Sequence, residues 1–122
     1  MTKKILIIDD DIDILDAMKI TLESEGYDVT ISEKGEYVEN ISEDNALPDL
    51  IIIDVLLSGK DGRIICKKLK SEKVTKNIPI IMISAHPSAE KSITNVGANE
   101  FLAKPFDIDV LLQKINNLLP NS

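Results

Sequence analysis

Three runs of consecutive apolar residues punctuate the chain: Ile5-Leu6-Ile7-Ile8, Leu50-Ile51-Ile52-Ile53 and Ile80-Ile81-Met82-Ile83. Each is short, rich in β-branched side chains and bounded by polar or turn residues, so each predicts a strand. A strand with one wet face would alternate apolar and polar positions. Continuous apolar character predicts strands covered on both faces, as in a parallel sheet with helices on either side. Tyr27 to Ile31 and Glu100 to Ala103 read as weaker strands that complete the sheet at its edges.

Between the strands the apolar period lengthens to that of a helix. Ile12, Leu15, Met18 and Leu22 share one face, and Gly26 follows as a terminator. Gly35 to Asn45 offers Tyr37, Val38 and Ile41 as a short second stripe, closed off by Pro48. Ile64, Ile65 and Leu69 mark a third helix, with the lysine-rich stretch Lys67 to Lys76, including Val74 at helical spacing, as its wet side. Ala89, Ile93 and Val96 mark a fourth that Gly97 caps, and Ile108, Leu111, Leu112, Ile115 and Leu119 a fifth. Five strands alternating with five helices through short loops predict right-handed crossovers and a doubly wound α/β sandwich.

Length and charge narrow the field. A chain of 122 residues supports one core, so residues 1–122 are expected to form a single domain, with any output domain on a separate molecule. With 21 acidic against 14 basic residues the net charge is -7, a field that repels nucleic acid and anionic lipid. No basic patch interleaved with aromatics overrides it, so neither direct nucleic-acid contact nor membrane contact is expected. Cys66 is the only cysteine, which excludes an intramolecular disulfide and suits a reducing compartment. After Met1-Thr2-Lys3-Lys4 only four apolar residues precede the carboxylates, too few for a signal-peptide core, and a cytoplasmic protein is expected.

In an open parallel sheet, ligands gather outside the carboxyl ends of the strands. There the first strand ends in Asp9-Asp10-Asp11, the third in Asp54 and the fourth in Ser84, while the fifth runs into Lys104-Pro105. Asp10 or Asp11 can cap the first helix. Capping does not account for Asp54, because a further carboxylate on the same edge raises the electrostatic strain, and a cation is wanted there. Grouped carboxylates without thiolate or imidazole favour Mg²⁺, and a metal held so openly can accept a phosphoryl oxygen. A carboxylate nucleophile, that metal and the Lys104 ammonium make up a set suited to phosphoryl transfer.

Taken together, the Asp pair after the first strand, Asp54, Ser84 and Lys104-Pro105-Phe106 resemble the response regulator receiver domain, over Lys4 to about Leu119. The resemblance implies a flavodoxin-like α/β fold, a five-stranded parallel sheet of order 2-1-3-4-5 with five helices. It implies that Asp9, Asp10, Asp54 and the Leu56 carbonyl hold Mg²⁺, with Mn²⁺ as a substitute. Asp54 would accept phosphate from a sensor histidine kinase or a histidine phosphotransfer protein, and Asp11 would cap the helix. Lys104 would pair with Asp54 and then with the phosphoryl group, across a cis Lys104-Pro105 bond. Ser84 and Phe101 would be the switch pair, altering the face of the fourth helix, fifth strand and fifth helix for an unknown protein target or a homodimer. Its only catalysis would be that of its own phosphorylation and dephosphorylation.

Two departures from the family pattern involve three positions. Leu57 and Ser58 stand where a methionine-like residue and a proline are usual, and Phe101 lacks the hydroxyl of a tyrosine. His86 reads as an exposed loop residue, as no second histidine or thiol accompanies it. Two rival readings stay open: a small haloacid-dehalogenase-like phosphatase with Asp9 as nucleophile, and a receiver-shaped interaction module that takes no phosphate. Nucleotide binding is weaker, since no Gly-rich phosphate loop follows the first strand.

Overall fold

The computed structural model describes residues 2–35, 41, 47–57, 59–86 and 89–119. Seven strands and four helices lie among them: β1 (Lys4–Ile8), α1 (Ile12–Ser24), β2 (Asp28–Ser32), β3 (Leu50–Asp54), β4 (Leu56–Leu57), β5 (Lys60–Asp61), α2 (Gly62–Ser71), β6 (Ile80–Ser84), α3 (Ala89–Asn95), β7 (Glu100–Ala103) and α4 (Ile108–Leu118). Five strands form one parallel sheet in the order β2-β1-β3-β6-β7, which is the expected 2-1-3-4-5 order once β4 and β5 are set aside. The latter two form a small antiparallel ladder that the apolar pattern does not announce, because two residues are too few for a period. Most of the expected second helix, Gly35 to Asn45, lies outside the described residues, as does Ser58. Ile41 is described, and it is buried.

Continuous apolar strands behave as the two-sided burial argument requires. Leu6, Ile8, Ile51, Ile53, Ile80 and Met82 point into one core with Ile65, Cys66 and Leu69 of α2 and Ile93 of α3. Their neighbours Ile5, Ile7, Leu50, Ile52, Ile81 and Ile83 point into the other, with Leu15, Met18 and Leu22 of α1 and Leu111 and Ile115 of α4. Successive strand side chains alternate between faces, so a run of four isoleucine-like residues feeds both cores equally. Each fully buried side chain is worth about 1.5–3 kcal/mol.

Three apolar positions depart from the expected helix faces. Ile12 opens α1 and overhangs the sheet's rim, so it stays half exposed. Ile64 is 69% exposed because Ile65 and Leu69, one turn apart, take the inward face of α2 and rotate Ile64 toward solvent. Val74 is exposed as well, since α2 stops at Ser71. Thr75 turns inward instead, and its hydroxyl donates to the Leu69 carbonyl at 2.6 Å, satisfying one of the helix's terminal acceptors. Gly26 and Gly97 follow their helices at φ of 95° and 91°, the left-handed conformation a side chain would oppose.

Cys66 is fully buried, and burial pushes its thiol up from the ordinary 9.0 to about 11, with the Lys70 charge as a smaller opposing effect. The unfolded thiol therefore loses its proton first. This group's contribution to stability is intact below pH 9.0 and is lost as pH rises toward 11. Iodoacetamide at pH 8 is expected to label the native protein only through global opening, with the rate rising in denaturant. Prompt stoichiometric labelling of the native state, followed by mass spectrometry, would contradict this burial. Among the described residues, no helix is long and apolar enough to cross a membrane.

Candidate functional site

Parallel strands deliver their last residues to one rim, and three of the expected side chains meet there. Asp9 follows β1, and its backbone N–H continues the ladder to the Ser32 carbonyl at 3.2 Å. Asp54 ends β3, and Lys104 follows β7 with its N–H donating to the Ser84 carbonyl at 2.8 Å. From that position the Lys104 Nζ donates to Asp9 Oδ2 at 3.0 Å and to Asp54 Oδ2 at 2.5 Å. Asp9 and Asp54 are only 2% and 8% exposed, so these charges face one another with little water between them.

The remaining carboxylate oxygens are also held. Asp54 Oδ1 accepts the Leu56 N–H at 2.9 Å, and Asp9 Oδ1 accepts the Asp11 N–H at 2.9 Å. Burial pushes Asp9 above the usual carboxylate range, and the Asp54 charge adds to that against the Asp11 and Lys104 hydrogen bonds. For Lys104, burial pulls the ammonium down, but hydrogen bonds to Asp54 and Asp9 outweigh it and hold the group above the ordinary lysine value. This lysine therefore stays charged at neutral pH.

Other expected site residues surround this trio. Asp11 caps α1, its carboxylate accepting from the Asp13 N–H at 3.0 Å and more weakly from Ile14. Asp10 is exposed at the rim. Ser84 is buried, and its Oγ accepts the His86 N–H at 3.0 Å, while His86 itself is exposed. The Leu56 side chain is exposed. Phe101 is half-buried against the core beneath α2 and α3, and the Lys104-Pro105 peptide is cis. Beside Lys104 a cleft of about 570 Å³ opens between α1 and the start of α4, lined by Ile14, Met18, Pro105, Phe106 and Ile108.

The donor set suits a divalent ion. Asp9 and Asp54 present hard carboxylate oxygens near enough to share one ammonium, and Mg²⁺ is commonly held by one or two carboxylates with water completing its shell. Among the described residues no group of three acidic, imidazole or thiol side chains is already arranged to hold a metal ion. The Lys104 ammonium offsets one of the two buried negative charges there.

Gly62 is the positioning residue that the apolar pattern does not reveal. Its N–H donates to the Val55 carbonyl at 2.7 Å, and a Cβ at this position would lie 2.2 Å from the Asp54 carbonyl oxygen. The only hint in the sequence is a glycine directly after Asp61, the residue that caps α2.

The model for the response regulator receiver domain family matches residues 5–116. The DNA-binding dual master transcriptional regulator RpaA of Synechocystis is 36% identical over 118 residues, covering 95% of this chain and 48% of that protein. The chain thus spans about half the length of the curated relatives it matches. Two solved structures share the fold closely. A two-component response regulator from Clostridium difficile gives a TM-score of 0.87 at 30% identity, covering 98% of both chains. The response regulator TrrA of Thermotoga maritima, solved in complex with Mg²⁺-BeF, gives 0.85 at 28%, covering 96% of this chain and 99% of that one.

Proposed function

The chain belongs to the response regulator receiver domain family of two-component signalling, and from that premise we propose that Asp54 is its phosphoacceptor. The observation that carries this assignment is the Asp54 carboxylate itself. It is nearly buried at the end of a central strand, fixed by an N–H on one oxygen and an ammonium on the other. A nucleophile held this way loses little freedom on attack.

The phosphoryl donor is a phosphohistidine of a sensor kinase or of a histidine phosphotransfer protein. An Asp54 oxygen attacks phosphorus, the bond from phosphorus to the imidazole nitrogen breaks, and the departing imidazole takes up a proton. Lys104 then turns its charge from the carboxylate to a phosphoryl oxygen, so one cation serves both states. Asp9 and Asp54, with Asp10 and the Leu56 carbonyl alongside, would hold Mg²⁺ (or Mn²⁺ in its place). When bound, the ion supplies positive charge beside the transferring oxygens.

The added group brings roughly two negative charges and three acceptor oxygens. Ser84, buried and one strand away from Asp54, supplies the hydroxyl that moves toward them, and Phe101 follows inward. The face made by α3, β7 and α4 then presents a changed surface to a cytoplasmic protein target or to a second copy.

Incubation with acetyl phosphate and Mg²⁺, followed by intact mass, tests the assignment. The parent should gain one phosphoryl group and Asp54→Ala none. Uptake that survives Asp54→Ala but vanishes in Asp9→Ala would favour the phosphatase reading. A separate expectation concerns lifetime: the exposed, apolar Leu56 side chain offers no hydrogen bond to an attacking water, so Leu56→Asn should shed its phosphate several-fold faster. Equal decay of parent and variant would show that Leu56 does not set the lifetime.

A further inference from the structure

Two limbs of hydrogen bonds leave the phosphoacceptor site by different routes. One runs from Asp54 Oδ1 to the Leu56 N–H and, through the pairing of Leu56 with Asp61, to the start of α2. The other runs from the Ser84 hydroxyl to the His86 N–H, from the His86 carbonyl to the Ala89 N–H at 3.0 Å, and from the Ala89 carbonyl to the Ser92 hydroxyl at 2.8 Å. Arg63 joins their far ends. Its Nε and Nη2 bind the Asp61 carboxylate at 2.9 and 2.7 Å, while Nη1 donates to Ser92 Oγ at 3.1 Å.

The Asp61 half of this junction is a two-point fork, the geometry in which a partly exposed ion pair still fixes position. A lysine in this place would have a single nitrogen and could not bridge the carboxylate and the hydroxyl in the same way. The guanidinium thus ties the loop that follows Asp54 to the helix that follows Ser84. A phosphoryl group that draws the Ser84 hydroxyl toward Asp54 has to move one limb relative to the other.

We propose that Arg63 is a positioning residue that holds α3 in its unphosphorylated placement and so opposes the switch. The inference rests on Asp54 being the phosphoacceptor. A ligand that mimics the phosphoryl group must work against the Arg63–Ser92 bond, so removing either partner makes its binding tighter.

The test is a titration of the full chain with beryllium fluoride at fixed Mg²⁺, followed by amide NMR shifts. Arg63→Ala and Ser92→Ala should each bind the mimic about fivefold more tightly, the scale of one modest hydrogen bond. The double variant should gain no more than either single one, and Arg63→Lys should behave like Arg63→Ala. A purely structural role would lower the melting temperature and leave the affinity unchanged, and that result, or additive gains in the double variant, overturns the inference. Absence of saturable binding by the parent would instead remove the Asp54 assignment, and this inference with it.

Discussion

Lys104→Ala should reduce phosphoryl uptake by about a hundred- to a thousandfold, the usual cost of removing one donor aimed at charge that develops during reaction. The same variant should be unstable without a divalent ion. Lys104 is the ammonium bonded to both Asp9 and Asp54, whose side chains are 3% and 10% exposed against 19% for the lysine. Removing one partner from so enclosed a group leaves like charges opposed, which costs roughly 3–5 kcal/mol when burial is complete. Because Lys104 retains some contact with water, about 2–3 kcal/mol is the expected loss, measured by urea unfolding. Millimolar Mg²⁺ should restore much of that stability, since it neutralises the same oxygens, but only part of the uptake. A variant as stable as the parent in metal-free buffer would show that the ammonium does not balance these carboxylates.

Gly62→Ala should disturb the site without touching any charged group. The added Cβ would lie 2.2 Å from the Asp54 carbonyl oxygen, a backbone atom that has no side-chain freedom with which to yield. Either β3 or the start of α2 must move, and overpacking of this kind costs about 1–3 kcal/mol. The helix conformation itself favours alanine over glycine by up to about 1 kcal/mol, so the net stability loss understates the local strain. Because β3 carries Asp54, the displacement also reaches the nucleophile, and uptake should fall at least tenfold in protein that remains folded. Normal uptake in a fully folded Gly62→Ala protein would mean that the strand accommodates the methyl elsewhere.

The contrast between these two residues shows what could be read from the chain alone. Asp9, Asp54 and Lys104 are far apart in sequence, yet each follows a legible strand, and parallel strands bring their ends to one rim. The strands were legible because isoleucine-rich runs are buried on both faces, leaving no competing pattern. Helices were harder, since Ile12, Ile64 and Val74 fit a helical period and still face solvent. A period names a set of residues on one face but not where the helix ends or which neighbour takes the inward position.

Gly62 and Arg63 were not legible, for a different reason. Their roles depend on contacts across the fold, a close approach to the Asp54 backbone in one case and a bond to Ser92 in the other. The short ladder between β4 and β5 that positions both is only two residues long on each side. The caps at Asp61 and Asp107 lay between these extremes, carrying a local signal outweighed by the acidic cluster at Asp9 to Asp11.

The central claim is that a phosphoryl group resides on one particular carboxylate, and reductive trapping tests it most directly. Protein treated with acetyl phosphate and Mg²⁺ would be reduced with borohydride, which converts an acyl phosphate to an alcohol, and its peptides sequenced by mass spectrometry. Asp54 should be the residue converted to homoserine, with Asp9, Asp10 and Asp11 unchanged. Conversion at Asp9 with Asp54 intact would contradict the account.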